Sequence, residues 1–213
     1  MPGTITGQQF YKLKADFSIK EKLADGTSKL IMGKVYYDKP SEKIIYDITF
    51  PEPETWILQD TSFYRLKADK LVDRQPSFLI PKSSFFHFTL TGELSDFGLK
   101  DGPYKIEGVE KSGEMVISTW EPHDSKLKEV MGKVVMSNMN KKLFGIVFYN
   151  PEGEMLSKQF YKDYINVKGC EIPTEITQIT YLESGQNYQI TSYRNVAINQ
   201  NEEGDIYNIR IPK

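Results

Sequence analysis

The stretch that decides the fold is residues 33–60, which read GKVYYDKPSEKIIYDITFPEPETWILQD. Apolar and polar side chains alternate in three successive runs, which are separated by Asp38-Lys39-Pro40 and by the pair Pro51 and Pro53. A period of two puts the apolar side chains of a strand on one face of a sheet. Proline removes a donor from the sheet ladder and so interrupts a strand. The stretch therefore predicts three consecutive strands joined by short turns.

The alternation begins upstream of this stretch, in residues 11–20. Its apolar members, which alternate with Lys, Asp and Ser, are Tyr11, Leu13, Ala15, Phe17 and Ile19. The pair Asp25-Gly26 follows and supplies the positive φ angle that a tight hairpin requires. We predict a first strand here, paired in a hairpin with the strand through Val35.

Further alternating runs downstream predict the rest of the sheet. A hairpin is predicted around Ser112-Gly113. The later strands are predicted at Val130–Asn138, Leu143–Tyr149, Met155–Val167, Glu175–Leu182, Tyr188–Ile198 and Ile206–Ile211. Short turns between neighbours indicate antiparallel pairing, because parallel strands need connections of roughly a dozen residues or more.

Residues 75–92, QPSFLIPKSSFFHFTLTG, break the alternation. They carry Pro76, Pro81 and a group of phenylalanines rather than a period of two. Proline is tolerated in the first turn of a helix. We interpret the segment as a loop with one short helix.

A sheet of about ten strands does not stay flat and has to close, split or curl. The predicted fold is mainly β: a strongly curved antiparallel sheet forming an incomplete β-barrel, with the segment from Phe78 to Leu90 as a short helical lid. The same pattern leaves a two-sheet sandwich open as the alternative. At 213 residues, the chain is predicted to be one domain, residues 1–213.

Composition and charge restrict the class of protein. With 39% hydrophobic residues, 26% charged residues and a net charge of −2, the chain is predicted to be globular. No segment concentrates Lys and Arg without acidic neighbours, which argues against a nucleic-acid partner. No apolar run reaches the roughly 18 to 20 residues of a membrane-spanning helix. The polar start fits either a cytosolic protein or one whose signal peptide is removed.

The side chains of catalytic and metal sites are isolated in this sequence. His87 and His123 are the only histidines, and neither has a second ligand at metal-like spacing. Cys170 is the single cysteine, which excludes an internal disulfide, and it has no identifiable base partner. No glycine-rich turn links a strand to a long helix, as phosphate-binding loops require. The sequence therefore favours a protein that is not an enzyme and that uses no cofactor and no metal.

Large apolar side chains are abundant: the chain has 12 Phe, 13 Tyr, 7 Met and 2 Trp. One helix is too little to fill the hollow of a curved sheet, so these residues predict an apolar ligand cavity, with ordinary core packing as the other explanation. The predicted lining from the early strands and the lid is Phe17, Ile19, Val35, Tyr37, Tyr46, Ile48, Trp56, Leu58, Phe85 and Phe88. Candidates from the later strands, whose inward phase the pattern leaves open, are Met115, Ile117, Val134, Met136, Phe144, Ile146 and Phe148.

Several motifs follow one another in the order found in a known family. They are Asp16-Phe17, Asp25-Gly26, Gly33 before an aromatic strand, Asp38-Lys39-Pro40, a strand ending at Pro51, and a strand that reaches Asp60. The second half continues with GKVVMSNMNKKLFGIVFYNPEGEMLSKQFYKDYINVKGC and later with YNIRIP. Over nearly its whole length the chain resembles the LolA family of periplasmic lipoprotein carriers and the broader outer-membrane lipoprotein-sorting proteins.

The resemblance implies an incomplete, strongly curved antiparallel barrel with a helical lid. Its cavity would receive the acyl chains of lipoproteins, or lipids, that pass from an inner-membrane donor protein to an outer-membrane acceptor protein. The expectation is a non-enzymatic monomer in the periplasm or cell envelope, with its signal peptide removed. An envelope sensor or protein-interaction module on the same fold is the alternative.

Two features depart from the family pattern. Family members usually have an N-terminal helix before the first strand, whereas only Met1–Gln9 precede it here. They also often place an Arg near the second strand pair, where this chain has Lys39 and Lys43, with Arg65 later. A gating role for that Arg is therefore not transferred to this sequence.

Overall fold

A computed structural model of the chain describes residues 9–77, 79–200 and 204–212, so Met1–Gln8 and Phe78 lie outside the described residues. Within these ranges the chain forms one antiparallel sheet of thirteen strands. The strands are β1 Lys12–Lys22, β2 Ser28–Asp38, β3 Lys43–Phe50, β4 Glu54–Gln59, β5 Ser62–Lys67, β6 Lys70–Pro76, β7 Tyr104–Ser112, β8 Met115–Pro122, β9 Val134–Met139, β10 Lys142–Tyr149, β11 Met155–Val167, β12 Cys170–Leu182 and β13 Gly185–Ile198. The helices are α1 Phe85–Thr91, α2 Ser125–Lys128 and α3 Gly204–Tyr207, and a 3-10 turn covers Pro81–Ser83.

Two meanders make up the sheet. One runs from β1 to β6 and the other from β7 to β13, and the pairing of β1 with β13 joins them. Strands β6 and β7 are the two edges, and within the described residues they do not pair with each other. The sheet is therefore an open, incomplete barrel, as predicted, and the alternative of a two-sheet sandwich is wrong.

The stretch that decides the fold forms the three predicted strands. Strand β2 ends at Asp38, and β4 begins at Glu54, after the two prolines that follow β3. The predicted hairpin turns also form, with positive φ at Gly26 (86°) and Gly113 (61°). Local alternation and turn chemistry were thus sufficient to place these strands.

The sheet has thirteen strands rather than about ten. The hairpin of β5 and β6, which the alternation did not resolve, turns at Ala68 and Asp69, both at positive φ (48° and 58°). Leu66 is the one buried residue of this hairpin. Because so little of these two strands is buried, Lys, Arg and Asp interrupt their apolar pattern.

The predicted last strand, Ile206–Ile211, is wrong. The chain forms α3 there and then continues without strand pairing. The ring of Tyr207 packs edge-on against Tyr36 of β2, with 5.6 Å between the ring centroids. Ile206, Ile209 and Ile211 pack against the same apolar cluster. These apolar residues therefore cover the sheet rather than extend it with another strand.

The predicted lid helix is α1. Ser84 caps its N-terminus, because the Ser84 side chain accepts a hydrogen bond from the backbone N–H of His87 at 3.3 Å. Gly92 ends the helix in the left-handed conformation, with φ at 81°. Pro81 begins the 3-10 turn that leads into the helix rather than the helix itself.

The segment between β6 and β7 runs from one edge of the sheet to the other, and α1 packs against β1 and β12 near the middle. Thirteen strands would span about 58 Å if they lay flat, whereas the seven residues of α1 measure about 10 Å. Phe86 of α1 nevertheless packs with both Tyr37 of β2 and Tyr193 of β13. The sheet thus curves around the helix. We call the face that holds α1 the inner face and the opposite one the outer face.

Apolar side chains form three clusters. The first inner cluster lies on β1–β4, β12 and β13 and includes Phe86 and Leu90 of α1. The second inner cluster lies on β8–β11, beneath Phe88 and the chain that follows α1. The outer cluster lies on β2–β5 and is covered by α3 and the residues after it. The inner face is therefore apolar along most of the sheet.

Gly33 lies at an irregularity in the pairing of β2 with β3. A Cβ atom at this position would overlap the backbone carbonyl oxygen of Asp47. We expect Gly33→Ala to lower the free energy of unfolding by about 3 kcal/mol, because the backbone of β3 has to move. Urea denaturation followed by tryptophan fluorescence measures the change. The matched control is Gly108→Ala in β7, where an added Cβ meets nothing within 4 Å, and this variant should be neutral or slightly stabilised. Equal losses in the two variants would contradict the close approach at Gly33.

Tyr207 closes the outer cluster. Its ring is 5% exposed, and the ammonium nitrogen of Lys12 lies 4.4 Å from the ring centroid. We expect Tyr207→Ala to lower the free energy of unfolding by about 3 kcal/mol, because a buried aromatic contact with the sheet is lost. The control is Tyr188→Ala in β13, where the side chain is 44% exposed and the change should stay within about 0.5 kcal/mol. Similar urea midpoints for both variants would show that α3 does not stabilise the sheet.

Candidate functional site

The inner face has a covered end and an open end. At the covered end, the beginnings of β1 and β12 and the end of β2 lie against α1. Cys170, the first residue of β12, donates its thiol to the carbonyl oxygen of Thr89 at 3.6 Å. At the open end, Ile19, Ile31 and Trp56 pack at the margin of the first inner cluster and stay partly exposed. A ligand approaching the inner face would meet these three side chains first.

A groove of about 460 Å³ opens beside them. Its lining residues are Ser28, Lys29, Leu30, Ile31, Ile48, Phe50, Pro51, Glu54 and Trp56. A second cleft, of about 520 Å³, lies at the covered end, between the C-terminal end of α1 and the turns before β10 and β12. We take the open-end groove as the candidate site, because Ile48 and Trp56 in its lining are predicted cavity residues, whereas the covered-end cleft is lined by none of them.

The predicted lining residues of the early strands and the lid come together on the inner face. Phe17, Val35, Tyr37, Ile48 and Leu58 are buried in the first inner cluster, and Ile19, Tyr46, Trp56 and Phe85 pack against it. The rings of Phe17, Tyr46 and Trp56 form a chain of edge-on contacts, with centroid distances of 5.1 and 6.5 Å. That these residues bind a ligand remains a prediction.

Phe88 of the lid and some of the residues predicted from the later strands lie in the second inner cluster. Phe88, Val134, Met136 and Ile146 are buried there, and Phe148 packs against it. Phe97, in the chain after α1, lies over them, with its ring 4.9 Å from Phe88 and 6.1 Å from Phe148. This part of the inner face is therefore occupied by the protein itself. Ligand contact by these residues also remains a prediction, and it would require the covering chain to move.

The inward phase predicted for β8 is wrong. Trp120 of β8 is opposite Val134 of β9, and both are buried in the second inner cluster. Met115 and Ile117 are an odd number of residues away from Trp120, and side chains alternate between the two faces along a strand. Met115 and Ile117 therefore lie on the outer face and do not line the inner one.

The inward phase predicted for Phe144 is wrong as well. Leu143 is buried in the second inner cluster, and the register of β10 with β9 shifts between Leu143 and Gly145. Phe144 packs on the outer face against Phe160 of β11, with 6.3 Å between the ring centroids. A one-residue irregularity, which the sequence pattern does not reveal, decides which face this ring occupies.

Sequence reasoning missed three aromatic residues of the inner face: Tyr193, Phe86 and Phe63. The ring of Tyr193 lies 5.2 Å from Phe85 and 5.7 Å from Phe86, directly beneath the lid. Phe63 extends the aromatic chain beyond Trp56, with a centroid distance of 5.8 Å. The alternation of β13 contained Tyr193, but only the pairing of β13 with β1 shows that it faces inward.

The phenol groups of the inner face are neutral at physiological pH, and burial moves them further from ionisation. It raises the pKa of Tyr37, Tyr46 and Tyr161 above the ordinary value for tyrosine. The pKa of Tyr193 is raised well above that value, first by burial and then by the nearness of Tyr46 and Tyr161. The four hydroxyls therefore stay protonated at physiological pH. They offer hydrogen bonds on the inner face without adding charge.

Side chains at the N-terminal end of α1 hold the lid to the sheet. The hydroxyl oxygen of Tyr37 and Nδ1 of His87 are 2.6 Å apart. Lys82, in the 3-10 turn, pairs with Glu42 in the turn between β2 and β3 at 2.6 Å. Burial lowers the pKa of His87, so its imidazole is neutral at pH 7 and can accept the phenol hydrogen.

The basic residues near the position of the family's Arg have other contacts. Lys43 donates to the carbonyl oxygen of Ile209, at 3.3 Å. The Lys39 ammonium lies 5.7 Å from the centroid of the Tyr11 ring. Arg65 approaches Glu54, at 3.9 Å, and Glu54 also accepts a hydrogen bond from the Trp56 indole at 3.1 Å. The sheet residue that contacts His87 of the lid is therefore Tyr37, and not one of these basic residues.

In the part of the chain that the structure describes, no three His, Cys, Asp or Glu side chains come together as metal ligands. None of the helices among these residues has the length and apolar character to cross a membrane. Burial raises the pKa of the Cys170 thiol, and a protonated thiol is a poor nucleophile. Packing and the hydrogen bond to Thr89 explain why a cysteine is found at this buried position.

No protein-family model matches the sequence, and no curated protein matches it. Solved structures do match the fold. A LolA superfamily protein from Nitrosomonas europaea has a TM-score of 0.60 at 17% identity, over 95% of this chain and 90% of that one. A DUF1329 family protein from Desulfovibrio piger has a TM-score of 0.60 at 14% identity, over 89% and 86% of the two chains. A domain assigned to outer membrane lipoprotein sorting, from Vibrio parahaemolyticus, has a TM-score of 0.56 at 12% identity, over 94% and 91%.

At these identities the similarity concerns the fold. It extends over most of each chain, and therefore over both meanders and the pairing of β1 with β13. The fold implied by the sequence resemblance is confirmed: this chain has the LolA-like fold, an open and strongly curved antiparallel half-barrel with a short helical lid.

Proposed function

We propose that this protein is a non-enzymatic carrier that binds the acyl chains of lipoproteins, or of lipids, on its inner face. The observation that carries the proposal is a LolA-like half-barrel whose apolar inner face is covered by α1 at one end and accessible at the other. The groove at Ile31, Ile48 and Trp56 is the proposed entrance. The first inner cluster behind it is the proposed acyl site.

The proposed place of action is the periplasm or the cell envelope. Two of the similar structures are described as a LolA superfamily protein and as an outer membrane lipoprotein-sorting domain, which supports this location. An inner-membrane donor protein and an outer-membrane acceptor protein are the proposed partners. Residues 1–213 are proposed to act as one domain and as a monomer. The near balance of 27 basic and 29 acidic residues argues against a nucleic-acid partner.

Acyl binding by a carrier has to be reversible. Each buried CH₂ group is worth about 0.8 kcal/mol, so a chain of about sixteen carbons represents about 12 kcal/mol of gross transfer free energy. An accessible groove and a seven-residue lid leave part of that free energy unrealised. Movement of the lid then lets a membrane or an acceptor protein compete for the acyl chain.

A second candidate function is an envelope sensor or protein-interaction module. One observation favours it: the inner clusters are filled by the protein's own side chains, and Val35, Tyr37, Met136 and Ile146 have no exposed surface. On this alternative the inner face is only a core. A partner would then bind to an edge strand or to the rim of the open end.

Lipid extraction and dye titration separate the two functions. Organic extracts of the purified protein are analysed by mass spectrometry, and the emptied protein is titrated with an apolar fluorescent dye. A carrier should release acyl lipids and show one saturable dye site from which acyl chains displace the dye. The absence of both the bound lipid and the saturable site would exclude the carrier.

A groove variant locates the dye site. We expect Ile31→Glu to weaken dye binding at least about tenfold, because a carboxylate enters the apolar groove. The control is Ile190→Glu in β13, where the side chain lies opposite Lys20 on the outer face and is 39% exposed. Equal dye affinity in the two variants would move the binding site away from the groove.

Acidic pH is expected to loosen the lid. Burial is the main cause of the lowered pKa of His87, and the surrounding charges of Glu42, Glu93, Lys39 and Lys82 act in both directions. The open state has a pKa nearer about 6.5, so it binds more protons than the closed state as the pH falls below that value. The closed lid is therefore fully stable above about pH 6.5 and loses stability below it.

Hydrogen exchange measures this effect on α1. After correction for intrinsic exchange rates, protection of the amides of α1 should fall between pH 7.5 and pH 5.5, while protection of β11 should not change. Tyr37→Phe should lower that protection about fivefold at pH 7.5, because one hydrogen bond of about 1 kcal/mol is lost. Unchanged protection in Tyr37→Phe and at pH 5.5 would show that this contact does not hold the lid.

A further inference from the structure

A row of three glutamines crosses the inner face near its open end. Gln159 of β11 is the register partner of Gln178 of β12, which in turn is opposite Gln189 of β13. Two positions further along their strands are Tyr161 in β11 and Thr191 in β13, and two positions earlier in β12 is Ile176. All three lie on the inner face. The three glutamines therefore also point inward. All three are partly exposed.

The three glutamine side chains do not form hydrogen bonds with one another. Cβ atoms of directly opposite residues lie about 5 Å apart, which is close enough for an amide ladder. Instead, Nε2 of Gln178 donates to the Thr180 hydroxyl at 3.2 Å, and Nε2 of Gln189 donates to the Thr191 hydroxyl at 3.1 Å. Gln159 accepts from the hydroxyl of Tyr161 at 2.6 Å.

Hydrogen-bonding capacity is left over in the row. A glutamine side chain has two N–H donors and a carbonyl oxygen that accepts up to two hydrogen bonds. Among the described residues, no protein group donates to the side-chain carbonyl oxygens of Gln178 and Gln189. The hydroxyls of Tyr46 and Tyr193, on the same face, also have no hydrogen-bond partner in the described ranges. Polar groups in such positions bind water or a ligand.

The row carries no charge of its own. The next inward positions along it are Glu21 on β1 and Lys29 on β2, which have opposite signs and are themselves register partners. Because these two charges offset each other, a phosphate or an ammonium group placed between the glutamines would lose hydration and gain little net countercharge. The row suits a neutral polar group.

Apolar side chains connect the row with the groove. Ile19 and Ile31 are register partners on β1 and β2, and Ile176 is opposite Thr191 on β13, so the three lie in the row next to the glutamines. The groove lined by Ile31, Ile48 and Trp56 adjoins them. An acyl chain held by these side chains would bring its head end to the glutamines.

We propose that the glutamine row binds the head end of the acyl ligand through neutral hydrogen-bond donors. The ligand class is an acyl chain joined to an amide N–H, as in an N-acylated peptide, or to the hydroxyls of a polyol. The carbonyl oxygens of Gln178 and Gln189 accept from these donors, and the remaining amide N–H groups donate to the adjacent acyl carbonyl. This inference rests on the proposed carrier function and names its ligand.

Displacement of an apolar dye by four probes with the same dodecanoyl chain tests the inference. The probes are the N-acyl glycinamide, the monoacylglycerol, the methyl ester and the fatty-acid anion. At least one of the two neutral donor-bearing probes should bind the unmodified protein about fivefold more tightly than the methyl ester, which has an acceptor only. The anion should bind more weakly than either neutral donor-bearing probe. The better of the glycinamide and the glycerol probe identifies the source of the donor.

The double variant Gln178→Leu with Gln189→Leu should remove this preference and leave the affinity for the methyl ester within about twofold. The matched control is Gln186→Leu, on β13 opposite Tyr181 and exposed, which should keep the preference. Thermal melting of each variant shows whether it folds, and the comparison of head groups on the unmodified protein needs no variant.

The outcomes separate this inference from the carrier function. If the methyl ester or the anion binds the unmodified protein as tightly as both donor-bearing probes, the inference is overturned while the carrier function stands. A folded double variant that keeps the preference overturns it as well. If neither the dye nor any probe binds the unmodified protein, the carrier function fails and the inference fails with it.

Discussion

The pairing of β1 with β13 is the contact on which the rest of the structure depends. It joins two meanders that are otherwise connected through the segment carrying α1. Side-chain amides reinforce it on both sides of an irregularity at which β13, between Arg194 and Ala197, has one more residue than β1. The side chain of Asn199 accepts from the backbone N–H of Tyr11 at 2.8 Å, and the side chain of Asn195 donates to Asp16 at 2.6 Å. Because this pairing links the first and last strands, closing it costs chain entropy that the apolar inner face has to offset.

The joined sheet is wider than its one inner helix, and this mismatch shapes the site. Helix α1 and the chain after it cover one end of the first inner cluster and all of the second, which leaves Ile19, Ile31 and Trp56 at the open margin. On the outer face, α3 and the residues after it cover the cluster on β2–β5. Leu30, Met32 and Ile190 on the same face stay exposed, and a cleft of about 570 Å³ lies along Leu30 and Met32. The proposed function places the acyl chain at the open margin of the inner face, which α1 leaves uncovered.

The inner face combines apolar bulk with polar groups that carry no charge. Tyr46, Tyr161 and Tyr193 are protonated, with pKa values that burial raises further above the ordinary value, and the glutamines near the open end add neutral donors and acceptors. In the proposed function, such a surface would bind an acyl chain by removing it from water and would orient its head without a strong ionic contact. The lid contact between Tyr37 and His87 is also a single neutral hydrogen bond at pH 7. Weak, neutral contacts fit the proposed carrier, which would have to release the acyl chain that it binds.

The sequence by itself determined most of the strands and their turns, the lid and the apolar character of the inner face. The alternation around Val35 and Tyr46 and the turn at Gly26 are local signals, and local signals set strand position and strand type. Only the tertiary structure decided that β13 pairs with β1, that Tyr193 lies under the lid, and that Ile206–Ile211 cover the outer face. It also decided the phase of Met115, Ile117 and Phe144 and the alignment of the three glutamines. These features depend on pairing between distant residues and on one-residue register shifts, which a periodic pattern along a single strand does not contain.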